Sequence, residues 1–233
     1  MPPGLGGMRS QRRSSGRAGV IEAGKGEPGD HAALVAFTID RRQRAAIQRS
    51  MLLTLAPHPD TPCDAVSRIT VDIHRGASRR LAATYTLVGD TRRIVMPAYR
   101  SSGRTDGLWA STCFEVFIRP GNTSRYLEFN FSPSTEWAAY AFDGYRAGMA
   151  DLLDVSVSCG GRDEGGVYGL IGTVDFAGLT EAEADRVWKI GVSAVIEETG
   201  GRKSYWALAH PQGKPDFHHP IAFAQNLPAV VYW

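Results

Sequence analysis

From residue 67 onward the chain alternates apolar and polar side chains with a period of two. In 67–75, Ile69, Val71 and Ile73 fall on one side and Thr70, Asp72 and His74 on the other, which predicts a half-buried β-strand. Residues 81–88 repeat the alternation less cleanly and end at Gly89-Asp90, a turn pair; 93–96 reads as a short strand stopped by Pro97. In 113–119, Phe114, Val116 and Ile118 line up opposite Cys113, Glu115 and Phe117. Pro120-Gly121-Asn122 is a turn, and 125–132 then sets Leu127, Phe129 and Phe131 against Tyr126, Glu128 and Asn130. Pro133-Ser134 leads into a strand at 136–142. Further strands are expected at 153–158, 167–174, 188–197, 204–209 and 222–225.

One helical signal interrupts this pattern. Thr180 and Glu183 have the spacing of a capping box, in which each side chain satisfies the other's free backbone donor, so a short helix is expected near 181–186. No internal repeat is evident. Many short strands punctuated by Gly and Pro predict an all-β fold, an antiparallel β-sandwich.

Composition narrows the function classes. The 233 residues are 43% hydrophobic, enough for a sizeable core, and no apolar run approaches a membrane span of roughly 18 residues. The net charge of +2 hides a division. Residues 1–50 hold nine basic and four acidic side chains, a net of +5, and the remaining 183 residues hold 17 and 20, a net of −3. The first fifty are rich in Gly, Arg and Ser and are expected to be a disordered extension, although 41–51 can form one or two helical turns. Arg9, Arg12, Arg13 and Arg17 leave a nucleic-acid-binding tail open beside a dispensable extension. The folded domain, 51–233, is not basic, so nucleic acid is not expected as the main partner. Cys63, Cys113 and Cys159 have neither CxxC nor metal-type spacing, and an odd count without a recognisable signal segment fits a reducing, cytoplasmic setting.

Common catalytic motifs are missing: no GxGxxG, Walker A, GxSxG, HExxH or CxxCH. What stands out is a cluster of aromatic and polar residues in the middle of the chain. If 113–119 and 125–132 pair as a hairpin, Glu115, Glu128 and Asn130 share the face opposite the apolar row. Arg104 and Arg146 offer donors, and Trp109, Trp137, Tyr140 and Tyr145 offer flat faces. Such a set suits a carbohydrate, whose apolar ring faces lie on aromatics while carboxylates and amides take its hydroxyls. A plain polar outer face, with Trp and Tyr plugging the core, accounts for the same residues and stays open.

The segments DGLWASTCFEVFI (106–118), YLEFNFSPS (126–134), WAAY (137–140) and FDGYR (142–146) resemble the DOMON-like domains related to carbohydrate-binding module family 9. HPQGKPDFHH (210–219) is similar to the bacterial stand-alone branch of that group. The resemblance spans about 55–227 and implies an immunoglobulin-like or jelly-roll-like sandwich that binds a sugar or haem. For a sugar it implies an aromatic contact at Trp109 and an acidic one at Glu115, with Arg104 and Asn130 as weaker contacts and Trp206 as a second aromatic. For haem b it implies a Met and a His as axial ligands, for which Met149 and His210 are the available pair. Some relatives carry a name borrowed from a cell-wall flavoenzyme reductase (MurB-like), but nothing in this sequence supports flavin binding.

Three readings follow. The first is a non-catalytic module for a carbohydrate or similar small polar ligand, using Trp109, Glu115, Glu128 and Asn130. The second is a haem-binding electron-transfer domain. The third is a stand-alone enzyme with Glu115 and Glu128 as paired carboxylates, which requires a separation of about 5–10 Å across a cleft. The 210–219 segment, with His210, Asp216, His218 and His219, matches no zinc spacing. It reads as a shaped loop whose His210 and Asp216 bond the backbone.

Overall fold

The computed structural model describes residues 50–76, 79–176 and 186–229. The expected basic extension falls outside these residues except for Ser50, and the expected helix at 181–186 falls outside them except for Arg186. Among the described residues there are twelve strands: β1 (Ser50–Pro57), β2 (Val66–Gly76), β3 (Arg80–Gly89), β4 (Cys113–Pro120), β5 (Tyr126–Phe131), β6 (Trp137–Phe142), β7 (Ala150–Asp151), β8 (Ser156–Asp163), β9 (Val167–Asp175), β10 (Trp188–Glu197), β11 (Lys203–Ala207) and β12 (Gln225–Leu227).

Every pairing between these strands is antiparallel, and they form the two layers of a β-sandwich. One layer runs β1-β2-β3-β9-β8. The other runs β11-β10-β4-β5-β6-β7, with β12 also paired to β10. β1 serves both layers. Its residues from Ser50 to Leu55 pair with β2, and Ala56 and Pro57 pair with Ala207 and Trp206 of β11.

The core lies between the layers, where period-two alternation places one apolar row from each strand. Ile69, Val71 and Ile73 of β2 and Leu81, Ala83, Tyr85 and Leu87 of β3 meet Phe114, Val116 and Ile118 of β4 and Phe129 and Phe131 of β5. Each large side chain fully buried there contributes about 1.5–3 kcal/mol. Packing is close enough that Gly172 of β9 has no room for a side chain: a Cβ there would stand 2.6 Å from two ring carbons of Phe131. At the edge of the core, buried Arg75 lays its guanidinium 3.4 Å from the centre of the Trp188 ring. It donates to the carbonyls of Arg186, Leu227 and Pro228, tying the end of the described chain to β2.

Several expected boundaries are corrected. β1 was not foreseen, and Ser50 and Met51, read as the end of a helical turn, are extended. Residues 93–96 form no strand; Thr91–Arg93 is a 3₁₀ turn, and Ile94 makes a single bridge to Glu198. The strand expected at 153–158 begins at Ser156 and runs on to Asp163. In place of a strand at 222–225, a 3₁₀ turn at Pro220–Ala222 precedes β12.

The largest departure lies on the outside of the second layer. Alternation predicts a solvated polar face there, yet every residue of β5 and all of β4 except Arg119 is buried. A second apolar cluster, including Phe117, Tyr126, Tyr140, Phe142, Phe217 and Phe223, covers that face. The segment after β11 supplies part of the cover, and it bounds a cavity.

Candidate ligand site

The cavity measures ≈ 340 Å³ and opens on the outer face of the second layer. Strand register builds its floor. Glu115 of β4 is paired with Asn130 of β5 on one side and Ser193 of β10 on the other. Phe117 is paired with Glu128, which in turn is paired with Tyr140 of β6. Glu115 and Glu128 are therefore diagonal neighbours on adjacent strands, and both line the cavity. Val195, Tyr205, Phe142 and Met149 extend the lining, and the 210–219 segment adds Pro215, Phe217 and His218.

Both carboxyls are almost fully enclosed, Glu115 at 3% and Glu128 at 5% exposure. Ser193 Oγ donates to Glu115 Oε2 at 2.9 Å, and Asn130 Nδ2 donates to Glu128 Oε1 at 2.8 Å. The backbone of Glu115 is also held from the opposite layer, by the Tyr85 hydroxyl at 2.7 Å. Burial raises the Glu115 carboxyl far above the usual glutamate range, and the neighbouring Glu128 charge raises it further against the pull of Ser193 and Arg146. Burial also raises Glu128, against the Asn130 bond and Arg146. The pair thus holds protons at pH values where an exposed glutamate has none.

His218 stands beside them as a neutral ring. Burial, reinforced by the Arg146 charge, pushes it down to about 4, against the opposing effect of Asp216. Its Nδ1 lies 2.8 Å from the Tyr126 hydroxyl, which accepts the Arg146 backbone N–H at 3.2 Å. The other ring nitrogen, Nε2, lies 3.8 Å from Glu128 Oε2.

The wall at the cavity mouth is aromatic. Trp109 sits in a 3₁₀ turn, Leu108–Ala110, entered through Gly107 at φ 74°, a left-handed conformation that suits glycine. Lys203 donates to the Ala110 carbonyl and holds the turn in place. The indole is 43% exposed and meets Tyr140 edge-on, with ring centres 6.1 Å apart. Tyr140 is fixed in turn by donating to Asp106 at 2.6 Å, and the Arg104 guanidinium lies 5.3 Å from its ring centre.

Asp216 joins the late loop to the rest of the site. It accepts from Arg146 Nη2 at 2.7 Å, the Tyr145 hydroxyl at 2.5 Å and the His218 backbone N–H at 3.1 Å. Burial pushes Asp216 up, but the Tyr145 hydroxyl and the Arg146 guanidinium outweigh it and hold the carboxyl below its ordinary range. The loop is shaped as the sequence suggested: His210 Nε2 lies 2.8 Å from the Ala56 carbonyl oxygen. Among the described residues no group of three or more His, Cys, Asp or Glu side chains is arranged to hold a metal ion.

The residues singled out in the sequence divide clearly. Trp109, Glu115 and Glu128 come together in the cavity lining. Asn130, fully buried, orients Glu128 from behind. Arg104 stands one step outside, bonded to Asp106 and Asp151 and packed on Tyr140. Trp206 does not belong to the site. It is 3% exposed in the core between the layers, and its indole N–H donates to Ser204. The aromatic that β11 offers to the cavity is its neighbour Tyr205. Met149 lines the cavity whereas His210 does not, and His210 Nε2 is committed to Ala56. These two residues do not fit a haem as an axial pair. Phe117, Phe142, Phe217 and His218 lie in segments that the sequence singles out, but their place in the cavity wall shows only in the fold.

No family model and no curated protein matches the chain. Among solved structures, a Bacteroides uniformis protein described as a "putative carbohydrate-binding protein" is similar over 77% of this chain and 85% of its own, with a TM-score of 0.53 and 13% identity. A carbohydrate binding module family 9 from Caldicellulosiruptor kristjanssonii, in complex with cellotriose, is aligned over 75% of this chain and 78% of its own, with a TM-score of 0.45 and 9% identity. At these identities the likeness to the Bacteroides protein is one of fold: the chain shares its β-sandwich architecture.

Proposed function

We propose that the protein is a carbohydrate-binding module whose site is the cavity on the outer face of the second layer. The observation that carries this reading is the combination of the partly exposed indole of Trp109 at the mouth with the buried, hydrogen-bonded carboxyls of Glu115 and Glu128 on the floor. An aromatic face takes the C–H side of a sugar ring, and oriented carboxyls take its hydroxyls. The volume lies at the lower end of small-molecule pockets and would empty of roughly ten waters, which suits one or two sugar rings rather than a long chain. The description of the Bacteroides protein that shares the fold supports the same ligand class.

Calorimetric titration with soluble mono- and disaccharides tests the reading. Saturable binding that falls at least about tenfold in Trp109→Ala is expected, since an aromatic contact of this kind is worth on the order of 1–2 kcal/mol. Absence of binding to every sugar in the set would overturn it.

A further inference from the structure

The charges around the cavity are unevenly matched. Arg146 is paired with Asp216 at 2.7 Å, and Arg104 is paired with Asp106 and Asp151. Glu115 and Glu128 have no such partner. Each has one oxygen occupied by a neutral donor, Ser193 or Asn130. The second oxygen of each has no hydrogen-bond donor among the described residues. The nearest basic nitrogen to Glu128, His218 Nε2 at 3.8 Å, is beyond hydrogen-bond reach. Two polar side chains more than nine-tenths buried therefore present unpartnered oxygens beside one aromatic-walled space.

Resting on the carbohydrate reading, we propose that the recognised unit is an amine-bearing sugar, its ammonium group held by the free oxygens of Glu115 and Glu128. An ammonium supplies up to three donors to a pair of acceptors that lack them, and charge-assisted bonds are roughly twice as strong as neutral ones. The aromatic rings of Trp109 and Tyr140 add attraction for a desolvated cation. A neutral sugar must instead meet two carboxyls that keep their protons.

Among the described residues, the groups facing the pair are neutral His218, the hydroxyls of Ser193, Tyr85, Tyr126 and Tyr140, the Cys113 thiol, the Asn130 amide, and Arg146 with its Asp216 partner. The raised affinity of both glutamates for protons makes binding visible in a second way, because an arriving cation lowers that affinity and drives a proton into the buffer.

The test is calorimetry on the full chain with glucosamine, glucose and N-acetylglucosamine at mildly acid pH, in two buffers of different ionisation enthalpy. Glucosamine is expected to bind at least about tenfold tighter than glucose or the acetylated sugar, with a heat that changes between buffers because protons are released. In Glu128→Gln, with the fold checked by circular dichroism, the glucosamine-to-glucose ratio should narrow toward one. Glucose binding as tightly as glucosamine, in the unmodified chain, would overturn this inference and leave the carbohydrate reading intact. Failure of all three sugars, together with the wider sugar set, would overturn both.

Discussion

Replacing Gly172 with alanine tests the sandwich at its tightest point. An alanine Cβ would sit 2.6 Å from Phe131 Cδ2 and Cε2 and 2.7 Å from Cγ, well inside van der Waals contact. The backbone gives no reason for glycine, since Gly172 is an ordinary residue of β9 paired with Ala83 and Cys159. An exposed strand glycine would gain about 0.5–1 kcal/mol from this change. Here the ring cannot swing aside, because Phe131 is fully buried with core packed around it. Overpacking of this kind costs about 1–3 kcal/mol and exceeds the gain. For a domain of this size the net loss, up to about 2.5 kcal/mol, lowers the melting temperature by up to roughly 10 °C. Thermal and urea melts of Gly172→Ala, Phe131→Leu and the double variant read it out. The double variant should be less destabilised than the sum of the single ones, because the smaller leucine makes room for the new methyl. A Gly172→Ala protein as stable as the parent, or strict additivity, would refute the packing argument.

Other expectations are briefer. Because burial raises both site glutamates, their cost to stability is absent below the ordinary glutamate range. It grows as the unfolded chain ionises and levels off once the folded pair ionises too. Glu115→Gln should therefore gain stability over the parent as pH rises from about 4 through neutrality, in urea melts read across pH; a gap that does not change with pH would count against the buried pair. Asp216→Ala should weaken sugar binding more than it lowers the melting temperature, because it frees the 210–219 loop from Arg146 and Tyr145 while leaving the core untouched. Equal binding by the two proteins would show that the loop's anchoring is irrelevant. Removing residues 50–57 should abolish cooperative melting, since it takes away hydrogen-bond partners of both β2 and β11.

Sequence patterning reaches a definite depth in this molecule. β2, β4 and β5 could be read directly because one face of each carries an unbroken apolar row, Ile69-Val71-Ile73, Phe114-Val116-Ile118 and Leu127-Phe129-Phe131. The floor of the site could be read for the same reason: once the hairpin is granted, Glu115, Glu128 and Asn130 must share the other face. β1 escaped because it carries leucine on both sides, with Leu55 buried and Leu52 72% exposed, so its alternation is blurred. Trp206 was misplaced by a single step. Either Tyr205 or Trp206 could face the cavity, and only the pairing of β11 with β1 and β10 decides which. The 210–219 segment could be read as a shaped loop, but not that Pro215, Phe217 and His218 wall the cavity. His218 meets Phe117 and Tyr126 across more than ninety residues of chain, and such contacts depend on how the loop folds back.

The strand shared by both layers also sets the order in which the protein can be made. β1 is synthesised before the other described strands, yet its last residues find their partners in β11, some 150 positions later, and β3 waits for β9 across about 80–95 positions. Pairings that distant are entropically slow to close, which places folding in the millisecond-to-second range of all-β sandwiches. On the ribosome the sandwich cannot close until β11 has emerged. Until their partners emerge, β9 for β3 and β11 for the end of β1, these strand edges remain open templates for pairing with another chain. The same joint that unites the finished layers therefore marks the nascent protein's interval of greatest exposure to misassembly.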